Sequence, residues 1–179
     1  LMTVLGLSTA LIVLIIFIGY VDSFNEMMEA GRREAAQDAP DRLQVRLDDF
    51  YARDDPLVSR LTDHPEVTQV VPEIVLGGEL IGDQTFDVKI RLLDLDNDLW
   101  TPTVERGGTT AEGPGVLINA KAARDLGVDV GDHVTLRHPC RESQHTWRMI
   151  ETPVQVMGIH PDLLRITVYM DIRDAGIMN

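Results

Sequence analysis

The first 21 residues contain no Asp, Glu, Lys, Arg or His, and nothing else in the sequence limits the fold as strongly. Leu1 to Val21 reads LMTVLGLSTALIVLIIFIGYV, in which only Thr3, Ser8, Thr9 and Tyr20 carry polar side-chain atoms. At about 1.5 Å per residue, a helix of this length reaches roughly 30 Å, the thickness of a bilayer hydrocarbon core. A secretory signal would need a basic leading stretch, a shorter apolar run and a small-x-small cleavage site. Tyr20-Val21-Asp22 offers no such site. The stretch 1–21 therefore reads as a transmembrane helix, with a cleaved signal and a buried soluble helix as the alternatives.

The helical pattern continues beyond the apolar run. Phe24, Met27, Met28, Gly31 and Ala35 recur at spacings of three and four, with Glu26, Glu29, Arg32, Arg33 and Glu34 on the other faces. This predicts a stalk helix over 22–38; a solvated helix end that frays before Pro40 is the other reading. The flank from Asp22 to Asp41 holds six acids and only Arg32 and Arg33 as bases, which leans this side of the membrane outward.

Beyond the stalk the chain is polar and acidic. The sequence holds 29 acidic and 16 basic residues, for a net charge of −13, and Lys89 and Lys121 are its lysines. Scattered arginines build neither a phosphate-tracking surface nor a polybasic membrane patch, so nucleic acid is excluded as a partner. A single cysteine, Cys140, leaves the fold to its core rather than to an intramolecular disulfide.

Local patterns predict the elements. Arg42 to Leu47 alternates as a half-buried strand, and Pro56 to Asp63 reads as a short helix. Val67 to Leu76 reads as a strand with Pro72 at a bulge or edge, Gly77-Gly78 as a turn, and Phe86 to Leu95 as a strand. An Asp- and Gly-rich loop from Asp94 to Pro114 precedes a buried strand at Gly115–Ile118. Asn119 caps a helix over 120–126 that stops at Gly127. Then come a tight turn at 128–132, a strand at 133–137, a loop at 138–144, and strands at 146–150, 154–159 and 166–172. Short strands dominate, so the fold class is α+β outside the membrane.

The residues that carry chemistry elsewhere form no complete constellation here. Gly77 and Gly82 have P-loop spacing, but Asp83-Gln84 follows where Lys and Ser or Thr must meet phosphate and Mg²⁺. Gly6-Leu7-Ser8-Thr9-Ala10 echoes a nucleophile elbow inside the apolar helix, with no His or acid close by in sequence. Asp94-Leu95-Asp96-Asn97-Asp98 with Glu105 imitates a calcium loop, but Leu99 takes the place of the turn glycine and Pro102 stiffens the ninth position. His138, Cys140 and His145 supply soft ligands from one loop, without the second pair a zinc site favours. His64 and His160 each precede a proline and read as structural. Catalytic, cofactor-binding and metal-binding residues are therefore all assigned as none.

The order of these segments resembles a known family. The residues carrying the resemblance are Leu5-Gly6 and Glu66-Val67-Thr68-Gln69-Val70-Val71-Pro72, then Gly115 to Asn119 leading into Ala123 to Leu136. They continue with Val156-Met157-Gly158-Ile159 and Val168-Tyr169-Met170-Asp171. Together they are similar to the extracytoplasmic core domain of MacB/FtsX-type ABC transporter permeases, including the lipoprotein-releasing ones. The run LGVDVGDHVTL from Leu126 to Leu136 is the most specific piece. The resemblance implies an N-terminal transmembrane and stalk helix, a mixed α/β porter-like subdomain over 40–92 and 159–179, and a mostly-β insertion over 93–158. It implies a cytoplasmic-membrane location with residues after about 22 on the extracytoplasmic side, and a non-catalytic chain. The implied partners are the bilayer, an ABC ATPase subunit, a second permease copy and an extracytoplasmic adaptor or substrate protein. Such a permease would transmit ATP-driven motion through Phe24, Met27, Met28, Gly31 and Ala35. The family pattern continues with further membrane helices, so a fragment of a longer permease is expected. The competing expectation is a single-pass anchored binding or sensor module.

Overall fold

With no charge to interrupt its opening turns, the chain begins as one uninterrupted helix, α1 (Met2–Ala36). The structure is a computed structural model describing residues 2–36, 42–52, 54–143, 146–161 and 166–178. Helix α1 is 35 residues long, about 52 Å at 1.5 Å per residue. Its Gly6–Arg33 stretch, of mean hydropathy 2.1, is long and apolar enough to cross a membrane. The expected transmembrane and stalk segments are thus, as far as Ala36, one continuous helix. It forms one compact unit with Gln37, and Asp38–Asn179 forms a second.

In the second unit, Asp55 accepts a hydrogen bond from the Leu57 amide at 2.8 Å and caps α2 (Pro56–Thr62), with Pro56 in its first turn. Seven strands follow among the described residues: β1 (Glu73–Ile81), β2 (Thr85–Leu93), β3 (Arg106–Gly107), β4 (Gly115–Asn119), β5 (His133–Arg141), β6 (Trp147–His160) and β7 (Thr167–Asp171). Helix α3 (Ala120–Leu126) links β4 to β5, and a 3₁₀ helix (Ile172–Met178) follows β7.

The strands pair in the order β3-β6-β4-β7-β2-β1-β5, and β5 pairs with β6 as well as with β1. This extra pairing closes six strands into a ring, with parallel pairs β2–β7 and β4–β6 and the others antiparallel. Every strand of the ring sends side chains into one cluster: Leu80, Val88, Ile90, Leu92, Val116, Ile118, Val134, Leu136, Val154, Val156, Val168 and Met170. Ala122, Ala123 and Leu126 of α3 join it. The Asn119 side chain accepts from the Ala122 amide at 2.7 Å, and Gly127 at φ 67° turns the chain out of α3.

β4 and β7 are buried along their whole length because both of their faces are covered. Inside lies the ring core; outside, Leu93, Leu95, Leu117, Met157 and Tyr169 form a second cluster beneath Trp100, Val104 and Ala111 of the long loop. A register shift opposite Val116 and Leu117 leaves Met157 as the extra residue and brings Ile159 opposite Ile118, so that both face the ring core.

Several expectations are corrected. Arg42 to Leu47 is not a strand; Leu43 and Val45 are 87% and 65% exposed. The expected strand over 67–76 starts only at Glu73, beyond Pro72, which lacks the ladder donor. Gly77-Gly78 lies within β1, and the chain turns at Gly82–Gln84, where the Gly82 amide bonds the Gln84 carbonyl at 3.0 Å. Gly78 is needed there: a Cβ would stand 2.5 Å from Ile90 Cδ1 and 2.6 Å from the Arg137 carbonyl oxygen. β5 runs to Arg141 where a loop was expected, and β6 crosses Pro153 without a break. Strands from 40–92, 93–158 and 159–179 share the one sheet, and the boundaries at 92/93 and 158/159 fall inside β2 and β6. Beyond the ring, β5 from His138 and β6 as far as Thr152 pair only with each other among the described strands, forming a two-stranded ribbon.

Candidate functional site

The residues with borrowed chemical spacing lie apart. Gly77 is in mid-strand and Gly82 opens the β1–β2 turn, so neither borders a phosphate-sized loop at a helix start. Gly6, Ser8 and Ala10 are exposed on α1, where Gly6, Thr9, Ala10, Val13, Leu14 and Phe17 line a shallow apolar groove. On the stalk part, Phe24, Met28 and Gly31 are exposed and Met27 half-buried; the Ala35 side chain lies outside the described residues.

In the calcium-like loop the polar groups bind the loop's own backbone. Asp94 accepts from the Asp96 amide at 3.0 Å, and Asn97 accepts from the Leu99 and Trp100 amides, each at 2.9 Å. The Asn97 amide nitrogen donates to the Trp100 carbonyl at 2.9 Å, so this side chain shapes the turn that presents Trp100. Among the described residues no three His, Cys, Asp or Glu side chains converge as metal ligands.

His138 and Cys140 lie on β5, and His145 lies outside the described residues. His138 is fully buried. Its Nδ1 lies 3.3 Å from the Pro139 carbonyl and its Nε2 2.8 Å from the Thr152 hydroxyl. A carbonyl only accepts, so Nδ1 carries the proton and Nε2 accepts from Thr152. Burial pushes the His138 pKa below its usual 6.5, against the bond to Pro139. The unfolded chain therefore binds a proton first as pH falls. The His138 contribution to stability is intact above about pH 6.5 and declines below it, by at most about 1.4 kcal/mol per pH unit crossed. Urea unfolding at pH 7.5 and 5.5 checks this: His138→Gln should remove the part of the loss that falls below pH 6.5, and an unchanged pH slope in the variant would refute the assignment. His64 Nδ1 accepts from the Glu66 amide at 3.4 Å, and His160 Nε2 donates to the Thr167 carbonyl at 2.9 Å.

Among the described residues, an assembly of half-buried charge and aromatic rings lies on the outer face of the ring. Alternation along β2 turns Ile90 and Leu92 inward and Arg91 outward, toward Tyr169 of β7. Arg91 forms a two-point ion pair with Glu73 of β1, with Nη2 to Oε2 at 2.9 Å. Burial opposes the Arg91 charge, and the Glu73 carboxylate more than offsets this, raising its pKa. The guanidinium carbon of Arg91 lies 5.2 Å from the Trp100 ring centroid and 5.3 Å from that of Tyr169. The Arg42 guanidinium stands 4.9 Å from the Trp100 ring, and Gln44 donates to Glu73 at 3.4 Å. His160 packs edge-on against Tyr169 at 5.0 Å. Asp171, at the end of β7, accepts from the Leu95 amide and from the Arg173 side chain at 2.7 and 2.8 Å, which holds its carboxyl below the usual carboxylate range. The sequence reading missed this assembly because its members are far apart in the chain. Trp100, an isolated ring in an acidic loop, was the available signal.

These contacts fasten a long loop and the stretch after α1 to a sheet. The LGVDVGD run is likewise a fastening: the Gly131 amide and the Asp132 carbonyl bond the carbonyl and the amide of Val156, each at 2.8 Å. Fold and site together define a β-rich unit preceded by a helix long and apolar enough to cross a membrane.

The chain belongs to the MacB-like periplasmic core domain family of ABC transporter permeases, whose profile matches residues 1–178. Among solved structures it is similar to the periplasmic region of MacB from Actinobacillus actinomycetemcomitans, at 15% identity and TM-score 0.43, covering 65% of this chain and 54% of that one. It is also similar to the extracellular domain of the noncanonic ABC-type transporter YknZ from Gram-positive bacteria, at 18% identity and TM-score 0.46, covering 65% and 61%. A third similar structure is a domain of a permease protein from Porphyromonas gingivalis, at 17% identity and TM-score 0.42, covering 63% and 50%. The matches thus span about half to three-fifths of those structures' length. No curated protein matches the chain.

Proposed function

We propose that this chain is the extracytoplasmic part of an ABC transporter permease in the cytoplasmic membrane, relaying motion from a cytoplasmic ATPase to the outer side. One observation carries the reading: the family match runs from the first residue to 178, taking in both the apolar helix and the β unit. The physical character of the chain supports it. A continuous helix of about 52 Å suits transmission of displacement, and the outer-face contacts fasten chain segments together. The chain works as one of two permease copies, and its cargo is a lipoprotein, lipid, peptide or drug.

Purification of the full-length protein from detergent-solubilised membranes, with and without ATP and vanadate, tests the reading. An ABC ATPase should co-purify in a fixed ratio, or lie in the same polypeptide. Recovery of the chain alone would overturn the transporter reading in favour of an anchored binding or sensor module.

A further inference from the structure

The stretch 42–47 is amphipathic in the opposite sense to the expected strand. Leu43 and Val45 are exposed, and the neighbouring polar residues make the contacts. Arg42 and Gln44 lie two positions apart, so an extended backbone turns both to one side. There Arg42 meets the indole of Trp100 at 4.9 Å, and Gln44 meets the Glu73 carboxylate at 3.4 Å. Trp100 and Glu73 are joined in turn through Arg91, which pairs with one and packs against the other. Neutralisation of Arg91 by Glu73 lets a second guanidinium approach the same ring. Trp100 is itself fixed from behind by the Asn97 turn, and the loop's start by the Asp171 bond to Leu95. A segment with no strand partner among the described residues is thus held by polar side chains on a braced receptor.

We propose that Arg42, Gln44, Glu73, Arg91 and Trp100 form a clasp fixing the stretch after α1 to the β unit, and that displacement of α1 is handed to the unit there. Arg42 lies six positions beyond Ala36, the last residue of α1, so the clasp is the first fastening described along the chain after the helix. The clasp stands on its contacts; its use in hand-over rests on the permease reading.

Tryptic cleavage after Arg46 of the full-length chain in lipid nanodiscs tests the clasp, because a protease cuts the segment only when it lifts off its receptor. Arg42→Ala should speed that cleavage about fivefold, the effect of losing one cation–π contact, with cleavage after Lys89 and Arg91 of β2 unchanged. Arg42→Lys should recover part of the protection. Unchanged cleavage after Arg46 would overturn the clasp, as would equal acceleration in β2. In the ATPase-bound transporter, trapping with ATP and vanadate should alter hydrogen exchange in β1 and the 94–104 loop of the wild type. Arg42→Ala should abolish that response while ATP hydrolysis continues. A variant responding like wild type overturns the hand-over. A wild-type chain that assembles with no ATPase overturns it together with the permease reading, and the cleavage after Arg46 then decides the clasp alone.

Discussion

Gly158→Ala is expected to lower the melting temperature of the protein by roughly 5–10 °C, corresponding to about 2–3 kcal/mol of overpacking in a unit of this size. A Cβ at this position would lie 2.6 Å from the Gly108 carbonyl oxygen, 3.0 Å from that of Arg106 and 2.8 Å from Leu117 Cδ2. Two of these three neighbours are backbone, fixed where β3 pairs with β6, and cannot rotate away. Either the pairing opens and releases the long loop from the outer cluster, or Leu117 leaves its place in β4. Gly77→Ala is the matched control, since its Cβ would meet nothing within 4 Å. Thermal melts followed by circular dichroism compare the two. Equal melting temperatures would show that the β3–β6 contact is soft, and protease cutting between 94 and 114 would reveal loop release directly.

Glu73→Ala should cost about 2–4 kcal/mol, because it strands the Arg91 charge in a place built for a neutral pair. The side chains of Arg91 and Glu73 are 20% and 18% exposed, so water replaces little of the lost carboxylate. The cost comes mainly from the charge left unpaired, which makes the double variant informative. Glu73→Leu combined with Arg91→Met removes both charges, keeps apolar volume against Trp100 and Tyr169, and should recover most of the stability. Chemical denaturation of the two variants and the wild type decides the point: a double variant as unstable as Glu73→Ala would mean that geometry, not charge, dominates. Both variants also weaken the support for Trp100, so faster tryptic cleavage after Arg46 should accompany the loss.

The parts of the fold legible in the sequence are those fixed by local chemistry. The apolar run of α1, the start of α2 at Pro56, the Asn119 cap and the stop at Gly127 follow from neighbouring residues alone. The errors arise where a distant partner decides. Gly77-Gly78 reads as a turn because glycine permits one, but Gly78 serves the approach of β1 to Ile90 and Arg137. Arg42 to Leu47 alternates like a strand, and its polar side is the docked one because the receptor is aromatic and ionic. Closure of the ring needs β5 to meet both β1 and β6, which no local window contains. The outer-face assembly was hidden for the same reason: Arg42, Glu73, Arg91, Trp100 and Tyr169 span nearly the whole second unit. The family signature was the exception, since its turn is local and its sequence specific.

The ribbon carries a consequence for company the domain can keep. Pro139 and Pro153 sit where β5 and β6 each have a single strand neighbour, so neither imide nitrogen costs the ladder a bond. On the open borders the same two residues withhold the donors that a visiting strand would need. The ribbon is thereby a poorer template for backbone-to-backbone adhesion with other extended chains. Whatever touches it must be recognised through protruding groups such as Trp147 and Met149, both 42% exposed, and is selected by shape and chemistry instead of by the generic stickiness of an open sheet.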